Sequence, residues 1–282
     1  MVVGYAFVAP DAIGLIVFVA IPILGAAWIS LTDWQGLSEP NFVGLSNYQD
    51  AFHDAQFFDS LKVTGLYVAT FVPCLFCISL GLAILVNQKL RGTTLFRGAY
   101  FMPVMLSLVV ASVIWSFIFE ERAGLLNQAL TAVGAPKQPW LGSTRLALAS
   151  VVVVALWQAV GYSMIIFLAG LQDIPQEFYD AAKVDGASGL QRFWRITLPL
   201  LKPTSAFVLV ITFIGSFQVF DPVFILTNGG PASATSATVF YIYENAFQFF
   251  RIGYASALAI LLFAVIFVFT LIQLRLFRTE AA

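Results

Sequence analysis

Six long apolar runs divide the chain, and its polar residues collect between the runs rather than inside them. A bilayer is crossed by a helix of about 20 mostly apolar residues, and lipid offers backbone amides no partners, so each run predicts a spanning helix. The runs are 9–31, 64–86, 100–119, 146–171, 204–226 and 254–274. The pattern therefore predicts an all-α membrane protein with six transmembrane helices, residues 1–282 forming a single transmembrane domain. Pro10 and Asp11 open the first run, a proline suited to a first helical turn and an acid suited to the positive end of the helix dipole, so Asp11 is read as a boundary residue. A cleaved signal peptide is the rival for this run, but no basic segment precedes it and the apolar stretch is too long.

One polar interval differs from the others. Residues 172–203, "QDIPQEFYDAAKVDGASGLQRFWRITLPLLKP", carry Glu177, Asp180, Lys183, Asp185, Arg192, Arg195 and Lys202 between two runs that water would reject. Pro175 suits a first helical position, and no breaker follows until Gly186. Ser188 can cap a second short helix carrying Phe193, Ile196 and Leu200, which Pro199 and Pro203 lead into the fifth run. Phe178 lies beside Ala181 and Ala182 on the first helix, an aromatic next to small side chains over which another backbone can approach. A plain solvated connection is the alternative.

Only 10% of residues are charged, against about 25% in soluble domains, so the chain belongs in a bilayer. The net charge of −1 points to no nucleic-acid surface. The placement of the basic residues is more telling, because short cytoplasmic loops of membrane proteins are enriched in Lys and Arg. Lys89, Arg91 and Arg97, then Lys183, Arg192, Arg195 and Lys202, then Arg275 and Arg278 fall on one side; Lys62, Arg122, Lys137, Arg145 and Arg251 fall on the other, among eight acids that include Asp54 and Glu120. Both termini and the 172–203 loop are accordingly expected in the cytoplasm. "MVVGY" contributes no basic residue, so the second and fourth intervals fix this orientation.

Candidate chemistry is sparse. Cys74 and Cys77 share a helix face, but His53 is the only histidine and nothing completes a metal site, so packing is their expected role. The lone His53 also removes bis-histidine haem binding and serine hydrolase chemistry. No G-x-x-x-x-G-K-[ST] occurs, hence no cradle for nucleotide phosphates, and no catalytic, cofactor-binding or metal residue is expected. Ion-coupled carriers need paired ionisable groups near the midplane; Asp221, followed by Pro222, is the only acid deep in a late run and is read as a helix-end or interface residue. A neutral sugar would be met by aromatic faces and amides, as offered by Trp157, Gln158 and Tyr162 in the fourth run and by Ser216 and Gln218 in the fifth. Intramembrane Gln and Ser also serve as helix-to-helix hydrogen bonds, and that reading stays open.

The loop resembles the "EAA...G" segment of permease subunits of bacterial ABC importers: Asp180, Ala181, Ala182, Asp185, Gly186, Ala187, Ile196, Leu198 and Pro199 occupy the motif positions, with Asp180 where Glu is usual. "NFVGLSNYQDAF", "RGTTLFRGAYFMPVMLS", "LTNGGPASAT", "YENAF" and "GYASALA" extend the resemblance over nearly the whole chain, to the first permease of carbohydrate importers of the glycerol-phosphate and disaccharide type. The resemblance implies a multi-pass protein of the bacterial inner membrane working by alternating access, without enzymatic activity of its own. It further implies a heterodimer with a second permease, two ATPase subunits that bind ATP and Mg and receive the loop around Phe178–Ala187, and an extracytoplasmic solute-binding protein. Two departures are a missing basic segment ahead of the first span, so that the start is expected to be late or the segment dispensable, and a short Glu120–Arg145 connection in place of a large insertion. Import of glycerol phosphate or a polyol, and a non-transporting scaffold that docks a cytoplasmic partner, are the alternatives.

Overall fold

The computed structural model describes residues 2–37, 39–88 and 92–277. Lys89, Arg91 and Arg278, used above for orientation, lie outside the described residues. Among the described residues the structure is helical, with an isolated bridge pairing Thr32 and Phe42. In chain order the helices are α1 (Val2–Leu15), passing through a π turn into α2 (Ile21–Ile29), α3 (Ser46–His53), α4 (Ala55–Asn87), α5 (Thr93–Phe101), α6 (Leu108–Ile118), α7 (Leu125–Ala132) and α8 (Ala147–Gln172). They continue as α9 (Gln176–Val184), α10 (Gly189–Arg192), α11 (Leu198–Leu200), α12 (Lys202–Phe217), α13 (Asp221–Leu226), α14 (Thr238–Tyr243) and α15 (Ile252–Phe277).

Four of the expected spans are single stretches of helix long and apolar enough to cross a membrane: Phe7–Ile29, Ala55–Asn87, Ala147–Gln172 and Ile252–Phe277. The second starts nine residues before 64, because its first turns carry Gln56, Asp59, Ser60 and Lys62 and so hide from a search for apolar residues.

The third and fifth depart from expectation. Instead of one helix over 100–119, α5 with its 3-10 turn (Met102–Met105) and α6 form a pair bent by 99°. Pro103 lacks an amide to continue the α ladder, and Leu106 and Ser107 are extended, with ψ of 138° and 139°. The run 204–226 is likewise not continuous: α12 stops at Phe217 and α13 restarts at Asp221. Pro222 has no N–H for the carbonyl of Gln218 four residues back, so the helix must part there and Pro222 falls in the first turn of the next one. At its other end α12 meets the preceding Gly189–Leu200 segment at 67°.

The chain forms two compact units, with α4 and α15 each contributing to both. The first takes residues up to Ser60 with Thr238–Phe267. Asn47 Nδ2 donates to the carbonyls of Ser30 and Thr32 at 2.8 Å each, satisfying groups left open where α2 ends. Gly253 packs its Cα against the Thr32 carbonyl, a place where a Cβ would collide, and its N–H donates to Trp34 O at 3.0 Å. The second unit takes Leu61–Ala237 and the end of α15. Its core joins Leu80, Ala83 and Val86 of α4, Met164, Phe167 and Leu171 of α8, and Leu201 and Val208.

Candidate functional site

Inside the second unit, α4, α8, α12 and the α12–α13 break enclose a cavity of about 380 Å³. Tyr67 and Phe71, one turn apart on α4, stack at 5.2 Å with their rings 11° from parallel and line it as an aromatic surface. Phe220 at the break also lines it and stacks on Phe224 at 5.4 Å. Polar groups arrive from α8, as Gln158 and Tyr162 one turn apart, and from around the α12–α13 break, as Ser216, Gln218 and Asp221. The interruption forced by Pro222 thus turns what would be an apolar helix face into a polar edge of the cavity.

Four of the five residues expected to meet a solute, Gln158, Tyr162, Ser216 and Gln218, are brought together here. Gln158 lines the cavity and also makes the helix-to-helix hydrogen bond weighed for it: Nε2 donates to the Leu106 carbonyl at 3.3 Å, the group exposed by the kink between α5 and α6. Ser216 is buried and its hydroxyl donates to Phe213 O at 2.8 Å within its own helix. Trp157 is not among the lining residues; its ring meets Trp115 edge-on at 5.8 Å. Sequence reasoning missed Tyr67 and Phe71, whose i, i+4 aromatic spacing in the second run was the available signal. It also placed Asp221 at a helix end without placing it on the cavity, and Asp221 is both.

The 172–203 segment is the second candidate element. Pro175 stands just before α9, which ends at Val184 with Asp185 as its cap; Gly186 then turns the chain at φ +74°, a conformation that costs glycine little. Ser188 opens α10 with a reciprocal capping box: its hydroxyl accepts from Gln191 N at 3.3 Å while Gln191 Oε1 accepts from Ser188 N at 2.8 Å. Tyr179 and Thr197 share a hydroxyl hydrogen bond of 2.9 Å that ties α9 to the segment after α10. Phe178 is 51% exposed, and Asp180, Ala181, Asp185 and Gly186 are exposed around it, with Ala182 and Ala187 half-buried. A hydrogen bond from Lys183 at 2.8 Å, with a second from Gln176, holds the Asp180 carboxyl below its ordinary value. Asp180 is thus engaged with its own helix, as its shorter reach permits.

Apolar helices closing on a small cavity with aromatic walls and a polar edge define the class: a multi-pass membrane permease. Residues 75–279 match the family described as binding-protein-dependent transport system inner membrane component, and the chain belongs to that family. It is 37% identical to the probable ABC transporter permease protein YurN of Bacillus subtilis over 99% of this chain and 97% of that one. It is 33% identical to the trehalose/maltose transport system permease protein MalF of Thermococcus litoralis, with 98% and 93% covered. To the arabinooligosaccharides transport system permease protein AraP of Bacillus subtilis it is 35% identical, with 96% and 87% covered. Among solved structures, a chain of the bacterial alginate ABC transporter in complex with alginate pentasaccharide-bound periplasmic protein shares its fold, with a TM-score of 0.87 at 23% identity, covering 98% of this chain and 94% of that one. The protein is therefore a multi-pass component of the inner membrane.

Proposed function

We propose that the protein is the permease subunit of an ATP-driven importer for a sugar or sugar-like solute, which crosses through the Tyr67–Gln158–Gln218 cavity. The observation that carries this reading is the lining itself. Stacked aromatic faces suit the C–H surfaces of a sugar, and Gln158, Tyr162, Ser216 and Gln218 suit its hydroxyls. Relatives named for maltose, trehalose and arabinooligosaccharide transport support the class of solute. The described lining holds the carboxyl of Asp221 and no Lys or Arg, which favours a neutral solute over glycerol phosphate.

We read six spans, with α5–α6 and α12–α13 as the broken third and fifth, both termini and the α9–α10 loop on the cytoplasmic side, and residues 1–282 acting as one transmembrane domain. The loop from Phe178 to Ala187 enters a cleft of an ATPase subunit, two of which bind ATP and Mg and drive alternating access of this chain and a second permease; a solute-binding protein delivers the sugar from outside. The exposed Phe178 on a short, rigidly capped hairpin supports that role. Proteoliposomes holding both permeases and both ATPases, given binding protein and labelled oligosaccharide, test the reading. Uptake on ATP addition that disappears when residues 180–186 are deleted is expected. ATPase association without any uptake would leave a docking scaffold instead.

A further inference from the structure

At the carboxyl-terminal ends of α4 and α8, beneath the α9–α10 hairpin, lies a second cavity of about 460 Å³. Ile84, Leu171 and Phe193 give it apolar surface, while Lys183 and Arg192 bring positive charge to it. Among its described lining residues there is no Asp or Glu. Lys183 meets Asp180 at 2.8 Å, but the two side chains are 53% and 59% exposed, and an ion pair so solvated holds a lysine weakly. Arg192 has a buried Nε with no hydrogen-bond partner. An unpaired buried N–H is costly, and a guanidinium fork matches two oxygens of a phosphate. The surrounding frame is set before any ligand arrives, by the Tyr179–Thr197 hydrogen bond and by the Ser188–Gln191 capping box that immediately precedes Arg192.

We propose that this cavity binds a phosphate-bearing anion, with Arg192 and Lys183 on the phosphate, and that its apolar surface selects the headgroup region of an anionic phospholipid. Its level in the membrane fits, because it sits where the spans Ala55–Asn87 and Ala147–Gln172 end, and basic pockets between spans at that depth take anionic headgroups. A lipid seated there would touch the capped hairpin from behind, leaving its exposed Phe178 face clear. The inference rests on reading α4 and α8 as spans and is independent of the solute carried.

The test compares the purified transporter with its Lys183→Gln/Arg192→Gln variant, measuring retention of phosphatidylglycerol and of phosphatidylcholine by native mass spectrometry, and binding of glycerol 3-phosphate as the soluble probe. The wild type is expected to retain phosphatidylglycerol over phosphatidylcholine, and the variant to lose that preference by about tenfold or more, as two removed charges near a membrane surface imply. The Lys183→Arg/Arg192→Lys pair should keep most of it. Charge-dependent binding of glycerol 3-phosphate without lipid preference would assign the same phosphate site to a free solute. Equal binding of all probes to wild type and a folded variant overturns the proposal. If the double variant fails to fold, Arg192→Gln alone, which leaves the Lys183–Asp180 pair in place, must show a smaller loss of the same kind or the proposal falls. ATP-driven uptake followed in parallel separates the two readings, since failed uptake with intact lipid preference counts against transport alone.

Discussion

Asp54 is a hydrogen-bond hub of the first unit. One carboxylate oxygen accepts from the hydroxyls of Tyr241 and Tyr254, each at 2.6 Å, and the other from the amides of Gln56 at 2.9 Å and Phe57 at 3.3 Å. Burial works to raise its pKa, but these four donors together outweigh it and hold the carboxyl below its ordinary 3.8. Burial and the bond to Asp54 push Tyr241 up to about 12, so it remains a protonated donor at physiological pH. A carboxylate with a lowered pKa stabilises the fold above its unfolded value and ceases to do so as pH falls through the lowered one. Thermal unfolding in detergent should therefore show an acid-side loss beginning near pH 4 that Asp54→Asn removes. At pH 7, Asp54→Ala should cost about 2–3 kcal/mol, the scale of hydrogen bonds to a charged acceptor, read as a lower unfolding temperature. This hub was not legible in the sequence, because its tyrosine partners lie 187 and 200 residues away and Asp54 looked like one more acid in a loop. Gln158 and Tyr162 were legible by contrast, since helical spacing alone puts them on one face.

At the level of elements, apolar runs located the helices but not their breaks. A hydrophobicity pattern counts side chains, whereas Pro103 and Pro222 act through a missing backbone N–H, so both kinks were invisible to it though both prolines were in plain view. The same blindness hides close backbone approaches. A Cβ on Gly161 of α8 would fall on the Tyr100 carbonyl oxygen of α5. Gly161→Ala should destabilise by about 1–3 kcal/mol through overpacking, although alanine in an unconstrained helix would stabilise by about 1 kcal/mol, so the sign of the change in unfolding temperature is itself the test. The α9–α10 hairpin was the most readable element, since Gly186 and Ser188 act locally, through a positive φ and a cap. Ser188→Ala should cost about 1 kcal/mol and speed amide hydrogen exchange in Gly189–Arg192 while leaving exchange in α8 unchanged.

Over the whole molecule, composition and six apolar runs led to a bilayer, and the motif residues of the loop led to the permease family that residues 75–279 match. The i, i+4 spacing of Tyr67 and Phe71 marks a shared helix face but not that this face fronts the cavity, because which helices face one another is a matter of packing. The working hypothesis for the assembly is mechanical: a capped hairpin passes the motion of ATPase neighbours into helices around a sugar-sized cavity. That linkage requires Ala182 to face the cytoplasm. In a Cys74→Ala/Cys77→Ala background, Ala182→Cys should react with a membrane-impermeant maleimide in inside-out vesicles and stay unlabelled in intact spheroplasts. Labelling from the outer face of spheroplasts would put the hairpin beyond the reach of any ATPase and contradict the account.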